Sequence, residues 1–281
     1  MTDIGRLGVW TFQLGMAPEP EQRDAVAELE SIGYGAIWVP TFGAFDIVPK
    51  LLAAGTTICA ATGIASIYQY DAPTIVRNVR SLDASYPDRF LLGLGVSHPE
   101  AVNRDGSGRY TKPIAAMAAF LDDLGPEVAE RAVLAALRSR MLTLARDRTV
   151  GAHPYFIPVE HTARARDILG PDKLLVPEQA VVLETDPDAA RTLARGHMAL
   201  YLQLQNYRNN LRWLGWSEDD LTPPGSDALV DAIVAWGDAD AIRARIQKHH
   251  DNGADHVCIQ VLREDQRAVP LEEWRAIAST S

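Results

Sequence analysis

The chain alternates between short, nearly continuous apolar runs and longer stretches in which apolar residues recur at helical spacing. The run Leu7 to Trp10 is followed by "PEQRDAVAELESIG", where Val26, Leu29 and Ile32 lie on one helical face before Gly33, a favourable C-terminal stop. This β-α unit recurs. Strand Ala36 to Val39 precedes a helix over Phe45 to Ala54, and strand Ile58 to Ile64 precedes a helix opening at Pro73, where a missing N–H costs nothing. Ile75, Val76, Val79, Leu82 and Tyr86 share one face of that helix. The series continues with strand Phe90 to Leu94, helix Pro113 to Leu124, strand Ala132 to Leu137, helix Ser139 to Arg148, strand Gly151 to Phe156, helix His161 to Leu169 and strand Ala180 to Glu184. Residues Asp186 to Trp236 read as helical throughout, interrupted at "LGWSEDD" and "TPPGSD". The helix "DADAIRARIQKHHDNG" then leads to a last strand, His256 to Leu262.

Apolar strands alternating with amphipathic helices predict a parallel sheet covered by helices. The simplest form is a single α/β domain over residues 1–281, a (β/α)8 TIM barrel with a helical excursion at 186–236 between its seventh and eighth strands. An open doubly wound sheet is the alternative. A length of 281 residues suits one such barrel. In a barrel the active site lies at the C-terminal ends of the strands whatever the chemistry, so strand ends form the shortlist of functional residues.

Composition narrows the classes of function. The chain is 47% hydrophobic and 23% charged, and no apolar run approaches the roughly 20 residues needed to cross a bilayer. The start "MTDIGRLGVW" lacks the basic, apolar and small-residue segments of a secretory signal, so a soluble, cytoplasmic protein without a membrane partner is expected. A net charge of −10 with no Lys/Arg block argues against a nucleic-acid partner but leaves room for a small anionic ligand, because a local site can differ from the average. Cys59 and Cys258 both lie in apolar runs and read as core thiols. No H-x-H or H-E-x-x-H occurs, and His249 and His250, adjacent on a helix, cannot easily face one ion, so no metal site is expected. The G-x-S-x-G elbow, the P-loop and a G-x-G-x-x-G after the first strand are absent as well.

Three strand ends carry candidate chemistry. In "RFLLGLGVSHPE", Gly93 and Gly95 alternate with Leu92 and Leu94; they either leave room for a flat ligand or fill a small-residue layer of barrel packing. His98 can bind a ligand or exchange protons, or be a structural loop histidine. In "AALRSRML" the chain passes from strand to helix through Arg138, Ser139 and Arg140, which suits a phosphate at a helix N-terminus or, more plainly, an N-cap with solvated arginines. His153 ends the strand in "VGAHPYF".

Taken together, "RFLLGLGVSHPE", "ATGIASIY", "GAHPYF", "EHTARARDILGP", "PEQAVVLET", "LQNYRNNLRWLGWSEDDL" and "WGDADAIRARIQKHHDNGADHVCIQVL" resemble the luciferase-like superfamily, specifically its actinobacterial oxidoreductases that use the deazaflavin coenzyme F420. The resemblance runs from Leu7 to Leu262. It implies a (β/α)8 barrel with the cofactor's tricyclic ring across the strand ends. Gly63 and Ile64 match the place where many members have a non-proline cis peptide behind the ring. Gly95, Val96, Ser97 and His98 match the loop beside the ring and its ribityl chain, and Arg138, Ser139, Arg140 and Met141 match the phosphate-binding turn. Trp10 and His153, with Thr41 and His98, are the candidates for the substrate side, and a homodimer is implied.

Two departures stand out. Where many relatives carry an acidic residue or a histidine in a proton-transfer role, "WVPTFGAFD" places Thr41, whose hydroxyl is a poor acid or base. The catalytic role then passes to His98, or the chemistry does not need it. The phosphate turn is Arg-Ser-Arg where relatives tend to have Gly-Pro-Lys-like sequences, bulkier but more cationic. The expected activity is hydride transfer between F420 and a small organic substrate. The alternatives are an FMN-dependent monooxygenase served by a reductase, and a non-catalytic barrel that binds cofactor or oligomerises. "LQNYRNN" either covers the mouth, builds a subunit interface or belongs to a plain helical outer layer.

Overall fold

A computed structural model describes residues 3–40, 43–106 and 108–278 of the chain. Its strands are β1 (Leu7–Trp10), β2 (Ala36–Val39), β3 (Cys59–Thr62), β4 (Ala65–Ser66), β5 (Phe90–Leu91), β6 (Gly93–Gly95), β7 (Val133–Leu134), β8 (Gly151–Ala152), β9 (Leu174–Leu175), β10 (Glu178–Leu183), β11 (Ala235–Gly237) and β12 (Val257–Val261). All ladders between them are parallel and fall into two sheets, β11-β10-β12-β1-β2-β3-β5 and β4-β6-β7-β8-β9. Three strand paths pass from one sheet to the other. β3 and β4 are separated only by Gly63 and Ile64, β5 and β6 only by Leu92, and β9 and β10 only by Val176 and Pro177. With helices between the successive strand paths the architecture is α/β and TIM-barrel-like.

Residue alternation along the strands separates two buried faces. Trp10, Ala36, Trp38, Cys59, Ala61, Leu91, Val133, Val176 and Cys258 pack together on the inner face. The intervening Val9, Ile37, Val39, Val257, Ile259 and Val261 turn outward onto helix residues such as Leu29, Leu51, Ile75, Met117, Leu142 and Ile246. The inside thus holds two tryptophans among small side chains, and the larger aliphatic burial lies between strands and helices. Several polar groups inside are paired. Trp38 Nε1 donates to His256 Nε2 at 3.2 Å, and His256 Nδ1 donates to the Gly5 carbonyl at 2.9 Å. Burial lowers the His256 pKa to about 4, so the ring is neutral, as this pairing needs. His249 bridges elements in the same way: its Nε2 donates to Gln179 Oε1 at 2.9 Å and its Nδ1 accepts from Thr162 Oγ1 at 2.8 Å.

Helices Pro113–Leu124 and Ser139–Arg148 have the bounds their apolar spacing predicts. The expected strand Ile58 to Ile64 is interrupted, and those over Ala132 to Leu137 and Gly151 to Phe156 pair over only two residues each. The stretch expected to be helical from Asp186 to Trp236 contains helices Pro187–Tyr201, Gln205–Leu214, Glu218–Leu221 and Asp227–Ile233, but it ends in β11, which pairs Ala235 with Val181 and Gly237 with Leu183. So short an apolar run carries no period to separate a strand from the end of a helix. Helix Leu271–Ile277, which buries Trp274, also escaped the pattern. No helix among the described residues is long and apolar enough to cross a membrane.

Backbone approach limits two glycines differently. A Cβ on Gly151 would stand 1.8 Å from the Leu174 carbonyl oxygen, whereas a Cβ on Gly196, in the helix Pro187–Tyr201, would meet nothing within 4 Å. Gly151→Ala is therefore expected to cost at least about 1–3 kcal/mol by forcing β8 and β9 apart. Gly196→Ala is expected to stabilise by about 0.4–1 kcal/mol through helix propensity and a less flexible unfolded chain. Urea denaturation midpoints measure both; shifts of the same sign would refute the packing argument.

Candidate functional site

The site grows from the C-terminal ends of β6 and β7. After Gly95 the chain runs through Val96, Ser97, held at a left-handed φ of 57°, and His98, which precedes the short helix Pro99–Val102. It returns through Tyr110 and Lys112 into helix Pro113–Leu124. After β7 it continues through Ala135 to Leu137 and turns at Arg138 into helix Ser139–Arg148. These segments and helix Gln205–Leu214 enclose a cavity of about 530 Å3. Val96, Ile114, Ala135, Leu137 and Met141 give it apolar walls, and its polar lining consists of Tyr110, Lys112, Arg138, Ser139, Arg140, Asn206 and Asn209. Among the described residues no carboxylate lines it.

The turn at Arg138 is built to attract an anion. Arg138 occupies the N-cap position with extended dihedrals and no side-chain cap, and its carbonyl accepts from Met141 and Leu142. The N–H groups of Ser139 and Arg140 have no backbone acceptor in the helix, which leaves positive potential at its start. His161 steadies the turn from beneath: its Nε2 donates to the Leu137 carbonyl at 2.6 Å, and burial holds the ring neutral with a pKa of about 4.

The other sequence candidates sit deeper. Trp10 Nε1 donates to the Gly63 carbonyl at 3.0 Å, and the Gly63–Ile64 peptide is cis. A Cβ on Gly95 would lie 2.6 Å from Ile64 Cδ1, and one on Gly93 would lie 1.9 Å from the Thr62 carbonyl oxygen. The space beside both glycines is thus filled by the neighbouring strand path, which accounts for them by packing. His153 is buried, stacks on Trp38 with ring centroids 4.4 Å apart, and donates from Nδ1 to the Val176 carbonyl at 2.7 Å. Its Nε2 has no partner, and burial lowers its pKa to about 4. His98 packs 5.1 Å from the Tyr207 ring, its buried Nδ1 unpartnered; desolvation lowers its pKa against the raising influence of Glu100. Val96 and Arg138 to Met141 therefore meet at the cavity, whereas Trp10, Gly63, Ile64, Gly95, Ser97, His98 and His153 do not line it. Thr41 lies outside the described residues.

Sequence reasoning missed a buried aromatic and acidic wall beside these strand ends. Tyr155 OH donates to Gln260 Oε1 at 2.7 Å and accepts from Tyr201 OH at 2.8 Å. Phe156, at a φ of 56°, stacks on Tyr201 at 4.9 Å and meets Tyr207 edge-on at 5.2 Å. Glu178 lies under them at 1% exposure. Its Oε2 accepts from the Phe156 N–H at 3.2 Å and its Oε1 has no partner. Desolvation raises its pKa to about 8, partly opposed by that N–H, so the acid is neutral at pH 7. A glutamate opening an apolar run reads as a solvated strand start, and only the tertiary fold reveals its burial. Lys112, Tyr110 and Trp213 also reach the cavity from positions with no local signal, and Asn206 and Asn209 bring "LQNYRNN" to it, one of the three placements its sequence left open.

No protein-family model and no curated protein sequence matches the chain. Solved structures do share its fold. An F420-dependent secondary alcohol dehydrogenase in complex with an F420–acetone adduct aligns with a TM-score of 0.72 at 11% identity, covering 98% of this chain and 99% of that one. The coenzyme F420-dependent tetrahydromethanopterin reductase from Methanopyrus kandleri aligns at 0.71 and 11%, covering 98% and 97%. The oxygenating constituent of 3,6-diketocamphane monooxygenase from Pseudomonas putida, in complex with FMN, aligns at 0.70 and 12%, covering 98% and 96%. At these identities the likeness establishes the fold.

Glu178 generates a pH prediction. Its folded-state pKa of about 8 lies above its ordinary value of 4.5, so between these values the folded chain holds a proton that the unfolded chain has released. Stability therefore falls as pH rises through that window, with a slope approaching about 1.4 kcal/mol per pH unit. Glu178→Gln, which mimics the neutral acid, is expected to remove this loss. Its stability advantage over wild type should grow from pH 5 to pH 8 in denaturation curves, and parallel pH profiles would show that Glu178 ionises freely.

Proposed function

We propose that the protein is an oxidoreductase of the luciferase-like family that binds coenzyme F420 and transfers a hydride between it and a small organic substrate. One observation carries this reading. On a chain of net charge −10, the cavity at the strand ends is lined by cations and an uncapped helix start, with no carboxylate among the described residues. An anionic cofactor fits such a donor set, and the likeness in fold to F420- and FMN-binding enzymes supports the choice of cofactor class.

Arg138, Arg140, Lys112 and the free N–H groups of Ser139 and Arg140 would hold the cofactor's phosphate. Val96, Ala135 and Leu137 form an apolar wall that excludes water from the strand ends. When bound, a deazaflavin supplies a ring carbon that accepts or donates a hydride. Interconverting an alcohol and a carbonyl also moves a proton, and the unpartnered Nδ1 of His98, kept uncharged by burial, is the group we assign to it. Its contact with Tyr207 fixes the ring. FMN also ends in a phosphate and fits the same turn.

Fluorescence titration of the purified protein with F420 and, separately, FMN at two salt concentrations tests this reading. F420 is expected to bind, with affinity falling as salt rises, and Arg138→Ala with Arg140→Ala should weaken binding about tenfold or more. Absence of binding by either cofactor up to millimolar concentration would sink the oxidoreductase reading, while binding of FMN alone would redirect it to oxygen chemistry. His98→Asn is expected to lower turnover by about a hundredfold while leaving cofactor affinity unchanged. Turnover at the wild-type rate would remove His98 from the chemistry.

A further inference from the structure

The side of the cavity formed by helix Gln205–Leu214 meets the turn at Arg138, and its chemistry is equally one-sided. Asn206 and Asn209, three residues apart on one helix face, both line the cavity. Asn206 Oδ1 accepts from Arg138 Nη2 at 3.4 Å, and Asn209 Oδ1 accepts from Gln205 Nε2 at 2.7 Å and Arg212 Nη1 at 2.9 Å. A guanidinium has donors only, so each carboxamide must turn its oxygen to its arginine. What remains for a ligand is the NH2 group, and neither nitrogen has a protein partner among the described residues. With Ser139 and the three cations, this rim offers donors and almost no acceptor.

The acceptors on the rim narrow the ligand further. Among the described residues it lacks a carboxylate or a free amide oxygen to accept from an exocyclic amine, a feature by which a nucleoside base is recognised.

We propose that Asn206 and Asn209 form a second subsite, which reads a carboxylate- or carbonyl-bearing chain continuing past the phosphate. The cavity then favours a cofactor with an acidic extension over one that ends at the phosphate or continues into a nucleoside. The inference rests on the cofactor-binding reading above. The arginines serve twice: Arg138 faces the phosphate and orients Asn206, and Arg212 orients Asn209 while held by Glu218 on its other side.

Affinities of the full-length protein for F420, for the deazariboflavin 5′-phosphate that lacks the acidic tail, and for FMN and FAD, all by fluorescence at one salt concentration, test the subsite. F420 is expected to bind at least about tenfold more tightly than its tail-less phosphate, and FAD no more tightly than FMN. Asn209→Ala, which leaves Arg138 untouched, should lower F420 affinity severalfold without changing that of the tail-less phosphate. Equal affinity for F420 and the tail-less phosphate overturns the subsite alone, as does an Asn209→Ala variant that weakens both alike. Failure of the wild-type protein to bind any of the four overturns the subsite together with the oxidoreductase reading. The wild-type comparison needs no variant and stands even where Asn209→Ala fails to fold.

Discussion

The close approach of β3 to the path of β5 and β6 sets the geometry of the strand ends. Thr62 presents its carbonyl oxygen to within 1.9 Å of where a Cβ on Gly93 would be, while its hydroxyl accepts from the Gly93 N–H and donates to the Gly93 carbonyl, both at 2.8 Å. A side chain at position 93 would push the two paths apart and break both bonds. Held this close, the chain beyond Thr62 places the Gly63 carbonyl under Trp10 Nε1 and lays Ile64 against Gly95. Val96 follows directly and becomes part of the cavity wall. A backbone contact in the sheet thus decides where the cavity begins, and the glycines serve that contact.

Charge is distributed by the same economy of burial. His153, His161 and His256 are desolvated and each donates one ring N–H to a backbone carbonyl, so burial keeps all three neutral. Glu178 is neutral for the same reason from the acidic side. The interior beneath the strand ends therefore carries almost no formal charge, and the charge that lines the cavity comes from Lys112, Arg138 and Arg140. The net charge of −10, borne on the rest of the surface, does not cancel them locally.

Much of this was legible in the sequence because it is local. The apolar period gave the limits of Leu7–Trp10, Ala36–Val39 and helix Ser139–Arg148, and the passage from apolar strand into cationic helix start marked Arg138 to Met141, which do line the cavity. What was not legible depends on tertiary approach. Glu178 looks like a solvated strand start until the aromatic wall closes over it. Asn206 and Asn209 look like ordinary polar positions on an amphipathic helix, whose placement over the cavity is fixed by Tyr207 and Leu211 packing into the second core cluster. β11 escaped because its short apolar run continues a helix in sequence and a sheet only in space.

The neutrality of Glu178 bears on the site as a whole. Its free oxygen is buried beneath Tyr155, Tyr201 and Tyr207, whose hydroxyl pKa values are all raised, mainly by burial and further by the nearby carboxyl. An ionised Glu178 would find no compensating cation there, since its one bond is to the Phe156 N–H. It would accept more strongly from the Phe156 N–H, but that one bond does not offset the cost of burying the charge. Burial thus keeps the acid protonated, and a wall without charge leaves the cationic rim as the main electrostatic feature that an entering anion meets.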